Sequence, residues 1–151
     1  MQKVQLVDNL SIKNYEDDQP WIYKGDIFIS DMIEKSYAFV YLIRDTLTGK
    51  GYIGKKLFWT KKQKQIKGKK KSIKVESNWK DYWSSSEEIQ RLVSERKKTF
   101  TREILHLCPN KGTANYLEAR EQMDHRVLER PDLWYNGQIQ CRIHWTHVKL
   151  S

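Results

Sequence analysis

Residues 38–54 read Ala-Phe-Val-Tyr-Leu-Ile-Arg-Asp-Thr-Leu-Thr-Gly-Lys-Gly-Tyr-Ile-Gly. The run Phe39-Val40-Tyr41-Leu42-Ile43 is aromatic, β-branched or aliphatic. Asp45-Thr-Leu-Thr-Gly-Lys50 supplies turn formers, and a second short run closes on Tyr52-Ile53-Gly54. This order predicts a β-hairpin with a loop longer than two residues. Side chains alternate between faces along a strand, so Tyr41 shares a face with Phe39 and Ile43 while Val40 and Leu42 look the other way. Pairing across the 45–50 turn puts Tyr41 and Tyr52 near the two far ends of the ladder, both bordering one pocket. Taken alone, the hairpin fits two half-buried structural tyrosines equally well.

Outward from the hairpin, the element signals vary in strength. Upstream, Trp21 to Ile29 reads as two short extended runs around a Lys24-Gly25-Asp26 turn, preceded by the acidic Glu16 to Asp18; we take residues 1–36 as an N-terminal extension packed on a domain spanning 37–151. Downstream, Ser84-Ser85-Ser86-Glu87-Glu88 combines hydroxyl caps with first-turn acids, Ser85 and Glu88 having capping-box spacing. Ile89, Leu92 and Val93 then form an apolar stripe, and Arg96-Lys97-Lys98 places cations at the helix end. Phe100 to Leu107 alternates as a third strand, closed by Pro109 to Gly112. Thr113 to Arg130 is the second predicted helix, with Tyr116, Ala119, Met123 and Val127 on its apolar face. On that wheel Glu121 lies at the margin of the face, and Glu118 lies well into the polar side. Asn136-Gly137 marks a turn, and the Ile139 to Leu150 tail alternates as one more strand would.

Composition narrows the function. The 151 residues include 18 aromatics, enough for one packed domain, and no apolar run approaches the length of a membrane span. Cys108 and Cys141 lack any ligand spacing, which suits reduced thiols in a cytoplasmic chain and argues against a zinc site. The net charge of +9 is concentrated: residues 55–80 hold eleven lysines against Glu76 alone, and the remainder is close to neutral. A near-neutral globule with one cationic segment fits a polyanion partner. Helical or extended, that segment is anchored by Phe58 and Trp59, with lysines 61 to 74 mobile around Gly68.

Taken together, the motifs resemble the GIY-YIG endonuclease superfamily, in particular its small phage and homing-type members. Phe39-Val40-Tyr41 stands where Gly-Ile-Tyr is usual, Tyr52-Ile53-Gly54 is the second half of the signature, and Glu121 precedes Asn136 at the homing-type interval. The resemblance covers residues 38–136 and implies an α+β fold, a small central three-stranded, mainly antiparallel sheet flanked by helices. The residues 55–80 read as a basic insertion in it. The family's usual arginine after the signature is missing. Lys62 stands near its position, and Lys55 and Lys56 follow the signature directly.

The implied activity is metal-dependent phosphodiester hydrolysis of DNA. Tyr41 is the general base with Tyr52 in support, Lys55 or Lys56 stabilises phosphorane charge, and Asn136 orients helix and substrate. Magnesium needs only one or two protein carboxylates, so Glu121 alone suffices to hold Mg2+ or Mn2+. Gly54 allows close approach, and Lys61, Lys62, Lys64, Lys67, Lys69, Lys70 and Lys71 contact double-stranded DNA, either from a monomer or from a homodimer. The competing readings are a non-catalytic nucleic-acid-binding module of the same fold and an RNA-binding assembly protein with a lysine arm.

Overall fold

A computed structural model of the protein describes residues 19–150; the acidic Glu16 to Asp18 lie outside them. In chain order the elements are β1 (Trp21–Tyr23), β2 (Asp26–Ile27), β3 (Ala38–Asp45), β4 (Gly51–Leu57), β5 (Trp59–Ile66), β6 (Lys69–Glu76), α1 (Glu87–Arg96), β7 (Phe100–Cys108) and α2 (Lys111–Asp124). The predicted hairpin is β3–β4, and the predicted third strand is β7, antiparallel to β3. The sheet has five strands rather than three, in the order β2-β1-β7-β3-β4, and it is mixed because β1 runs parallel to β7. The two extra strands are only two or three residues long, too short for alternation to be legible.

Alternation along β3 divides the core. On one face Phe39, Tyr41 and Ile43 pack with Trp21, Phe58, Trp79 and Phe100, and with Ile89 and Val93 of α1. On the other, Ala38, Val40 and Ile53 pack with Ala114 and Leu117 of α2, Val127 and Trp134. Helix α1 begins one residue later than the capping-box reading implies: Ser86 is its N-cap and accepts the Ile89 N–H at 3.3 Å. Helix α2 ends at Asp124, six residues earlier than the pattern predicts, and buries Thr113, Ala114, Leu117, Ala119 and Gln122, leaving Met123 61% exposed. The apolar wheel misplaces this face because a buried glutamine occupies it, donating its side-chain N–H to the Ile53 carbonyl at 2.9 Å. The tail forms no strand; its regular part is a single 3-10 turn, Trp145–His147.

The turn after β3 is fixed by a buried carboxylate. Asp45 accepts two hydrogen bonds from Arg96 at 2.6 and 2.7 Å, one from the Tyr135 hydroxyl at 2.7 Å and one from the Leu47 N–H at 3.1 Å. These join the hairpin turn, the end of α1 and the segment after α2. The Arg96 hydrogen bonds hold Asp45 well below the usual carboxylate range, against the opposing effect of burial.

A carboxylate depressed on folding contributes stability that is complete above its unfolded value and is lost as pH falls through the folded one. Urea unfolding should therefore show wild-type stability declining below about pH 4. The stability gap between wild type and Arg96→Gln should narrow over the same range. A gap that stays constant down to pH 2 would mean that this ion pair does not carry the acid dependence.

Candidate active site on the edge of the hairpin

Strand β4 is an edge strand, so every second N–H points away from its partner and needs an acceptor from elsewhere. Gly51 N–H donates to the Leu133 carbonyl at 2.9 Å, and the Tyr135 N–H returns a bond to the Gly51 carbonyl at 2.8 Å. Ile53 N–H donates to Asn136 Oδ1 at 3.0 Å, and Asn136 Nδ2 donates to the Ile53 carbonyl at 2.8 Å. The next outward residue, Lys55, holds the Glu118 carboxylate through its ammonium at 3.1 Å. Asn136 is buried, and its side chain bonds the backbone of the Tyr-Ile-Gly strand on both sides. The structure thus gives it a strand-positioning task.

Above this edge sit the tyrosines. Tyr41 pairs directly with Gly54, so Tyr41 and Tyr52 are diagonal neighbours on one face rather than at opposite ends of the ladder. Their rings stack at 6.3 Å between centroids. A Cβ on Gly54 would lie 2.4 Å from the Tyr41 hydroxyl and 3.1 Å from the Tyr52 ring; the absent side chain is the space in which the hydroxyl lies. Tyr82 meets Tyr41 edge-on at 6.0 Å and adds to the upward push on its hydroxyl, while the Ser85 hydroxyl acts on Tyr52 in the opposite sense. Burial above all, then the Tyr82, Tyr52 and Glu118 groups, push the Tyr41 hydroxyl well above its ordinary value. Burial also raises Tyr52, against the Ser85 hydrogen bond.

Strand alternation separates the two candidate lysines. Lys56 is opposite Phe39 and therefore on the tyrosine face, its ammonium 4.3 Å from the Tyr82 ring centroid. Burial lowers its pKa. Lys55 is opposite Val40 and points to the α2 face, where Glu118 holds it.

The acids separate as well. Lys55, Val40 and His106 form one row across the sheet. Glu118 leans from α2 toward β4 and Lys55, while Glu121 leans toward β7 and meets His106 at 2.7 Å and His125 at 3.4 Å. Of the two, it is Glu118 whose charge acts on both tyrosine hydroxyls. Its side chain is 13% exposed, against 19% for Glu121. Burial raises the Glu118 pKa, opposed by the Lys55 charge and hydrogen bonds. Glu118 is thus the acid on the Lys55 side of α2 that reaches the tyrosine hydroxyls electrostatically, and Glu121, the acid singled out from the sequence, pairs with His106.

A model of the GIY-YIG domain described as "Putative endonuclease segE, GIY-YIG domain" matches residues 21–139. The chain belongs to the GIY-YIG endonuclease family. Searches of curated proteins and of solved structures returned no match.

Relative to the family's usual arginine, Lys62 is carried away from the tyrosines on β5, an exposed strand. The buried guanidinium near the site belongs to Arg102 of β7, which donates to the Tyr82 carbonyl at 2.8 Å and lies 4.2 Å from the Trp83 ring centroid. Arg102 sets the position of Tyr82 from below. The sequence placed Glu118 on the polar side of its helix and did not single out Tyr82 or Arg102; the Trp79 to Trp83 aromatic cluster was the available signal for Tyr82, and the other two depend on strand register. Among the described residues, no group of three or more His, Cys, Asp or Glu side chains is placed to hold a metal.

Two substitutions test this edge. Asn136→Ala removes two hydrogen bonds and leaves a buried amide and carbonyl with fewer partners, so urea denaturation should show a loss of about 2–4 kcal/mol. Gly54→Ala should also destabilise, and Tyr41→Phe in the same chain should recover part of the loss, because the hydroxyl is what the new methyl meets. Strict additivity of the two changes would separate Gly54 from Tyr41.

Proposed function

We propose that the protein is a metal-dependent DNA endonuclease whose reactive groups lie along the outer edge of β4. The observation that carries this reading is the Tyr41 hydroxyl over Gly54, one residue from Lys55, whose ammonium holds Glu118. Family membership supports phosphodiester hydrolysis as the reaction class, and the lysine concentration in residues 55–80 supports a polyanionic substrate.

In this reading Tyr41 accepts the proton of the attacking water, and Tyr52 and Tyr82 fix its ring. Burial keeps Tyr41 protonated in the free protein, so the hydroxyl must ionise before it can accept a proton. Lys56, weakly hydrated on the tyrosine face, balances charge that develops on the phosphoryl oxygens. Lys55 acts through Glu118, orienting its carboxylate. Glu118 would hold Mg2+ or Mn2+ together with waters and a substrate phosphate, and the ion would supply positive charge to the non-bridging oxygens. One carboxylate suits an ion that keeps several waters, whereas a site built for zinc would need more protein ligands. Asn136 keeps β4 in register beneath these groups.

The test is relaxation of supercoiled plasmid in the presence of Mg2+. Tyr41→Phe and Glu118→Gln should each lower the cleavage rate by about 10²–10⁴-fold, while Glu121→Gln should retain most of it. Loss with Glu121→Gln and survival with Glu118→Gln would move the metal-binding role back to the position that helix periodicity predicts. Binding without cleavage by the wild type would make the chain a nucleic-acid-binding module of this fold. The raised Tyr41 value also gives a pH signature. With Mg2+ present, kcat/KM should climb with pH across the neutral and alkaline range, with no plateau below about pH 10, the ordinary tyrosine value.

A further inference from the structure

Strands β5 and β6 form a separate two-stranded sheet of eight residues each, closed by Lys67 and Gly68 at positive φ. Such a ribbon is marginal in water on its own, and this one is poorly designed to stand alone. Lys61 is directly opposite Lys74, and Lys64 is directly opposite Lys71. Like charges facing each other across strands destabilise the pair. The arrangement makes sense as a surface completed by a polyanion.

The register sorts the ribbon into two chemically different faces. Lys61, Gln63 and Gln65 share one face with Lys70, Ser72 and Lys74. The other carries Lys62, Lys64, Lys69 and Lys71 around the partly covered Ile66, Ile73 and Val75. Gln63, Gln65 and Ser72 can both donate and accept hydrogen bonds, as base edges require, whereas lysine only donates. Gln63 and Ser72 face each other in mid-ribbon and Gln65 lies on the same face toward the closing turn, away from the base where Trp59 donates to the Ser36 carbonyl at 3.3 Å.

Resting on the nuclease reading above, we infer that the ribbon enters the major groove of duplex DNA, with its Gln63, Gln65 and Ser72 face on the base edges and Lys62, Lys64, Lys69 and Lys71 reaching the flanking phosphates. The dimensions agree. Two strands about 4.8 Å apart with their side chains fill a groove about 12 Å wide and cannot enter one about 6 Å wide. Eight residues at about 3.3 Å span roughly 26 Å, most of one helical turn of DNA. The ribbon also leaves the site at its rim: β5 starts three residues after Lys56, and the chain returns from β6 to Tyr82 through the Trp79–Asp81 turn. A duplex held by the ribbon is therefore held beside the tyrosines, and base preference arises next to the point of cleavage.

The experiment reads binding, with full-length wild type and a chelator present, so that it does not depend on cleavage. Selection from a random duplex pool should yield a base preference, and bound DNA should be protected from methylation at guanine N7, an atom of the major groove. Gln63→Ala/Gln65→Ala should flatten that preference by roughly 5- to 150-fold per contacted position without changing the salt slope. Replacing Lys62, Lys64, Lys69 and Lys71 by alanine should weaken all sequences alike and reduce the slope of log K against log salt by about 3–4. An unselective pool, unprotected guanine N7, equal affinity for single strands or RNA duplexes, or a slope unmoved by the lysine changes would each overturn the inference. A wild type that meets these binding criteria yet cuts nothing would overturn the nuclease reading alone.

Discussion

An edge strand must find acceptors for its outward N–H groups, and the arrangement of this molecule follows from how β4 finds them. Of three successive outward positions, Gly51 and Ile53 give their N–H groups to a main-chain carbonyl and a side-chain amide, and Lys55 holds the Glu118 carboxylate through its ammonium. The first two close the edge against pairing with another chain. The third puts a charged group there, beside the glycine over which the Tyr41 hydroxyl lies. The same edge thus completes the sheet and, through the Lys55 ammonium, brings the acid to the tyrosines.

Two rigid anchors keep this edge in place. The Asp45 carboxylate binds the hairpin turn to Arg96 and Tyr135, which fixes the segment leading to Asn136. Asn136 and Gln122 then share the Ile53 carbonyl. Because both donors converge on one backbone oxygen, α2 and the segment behind it cannot move independently of the signature strand. The position of Glu118 on α2 is therefore tied to the position of Gly54 on β4, although 64 residues separate them.

Much of this was legible in the sequence, and the boundary has a physical cause. The hairpin, the third strand and α1 have strong local signals: β-branched and aromatic runs, a turn rich in Asp, Thr and Gly, and serine caps followed by acids. The choice between Lys55 and Lys56 follows from alternation once the strand is known to continue past Gly54, but lysines carry little strand signal and hide that continuation. The acid is a different case. An apolar wheel weighs Glu118 by its polarity alone, yet its burial is offset by the Lys55 ammonium, whose placement depends on register across the sheet. Likewise, β1 and β2 are too short for periodicity, and their pairing with β7 is a long-range event.

The opposed lysines of β5 and β6 have one more consequence. Added salt screens the repulsion between Lys61 and Lys74 and between Lys64 and Lys71, and so favours the closed ribbon in the free protein. The same salt weakens contacts to phosphate. Ionic strength therefore acts in opposite directions on the folding of the arm and on its engagement. The opposed lysines repel most in dilute buffer, the condition in which a polyanion would attract them most strongly, so strand pairing and any docking would be balanced by the counterions around them.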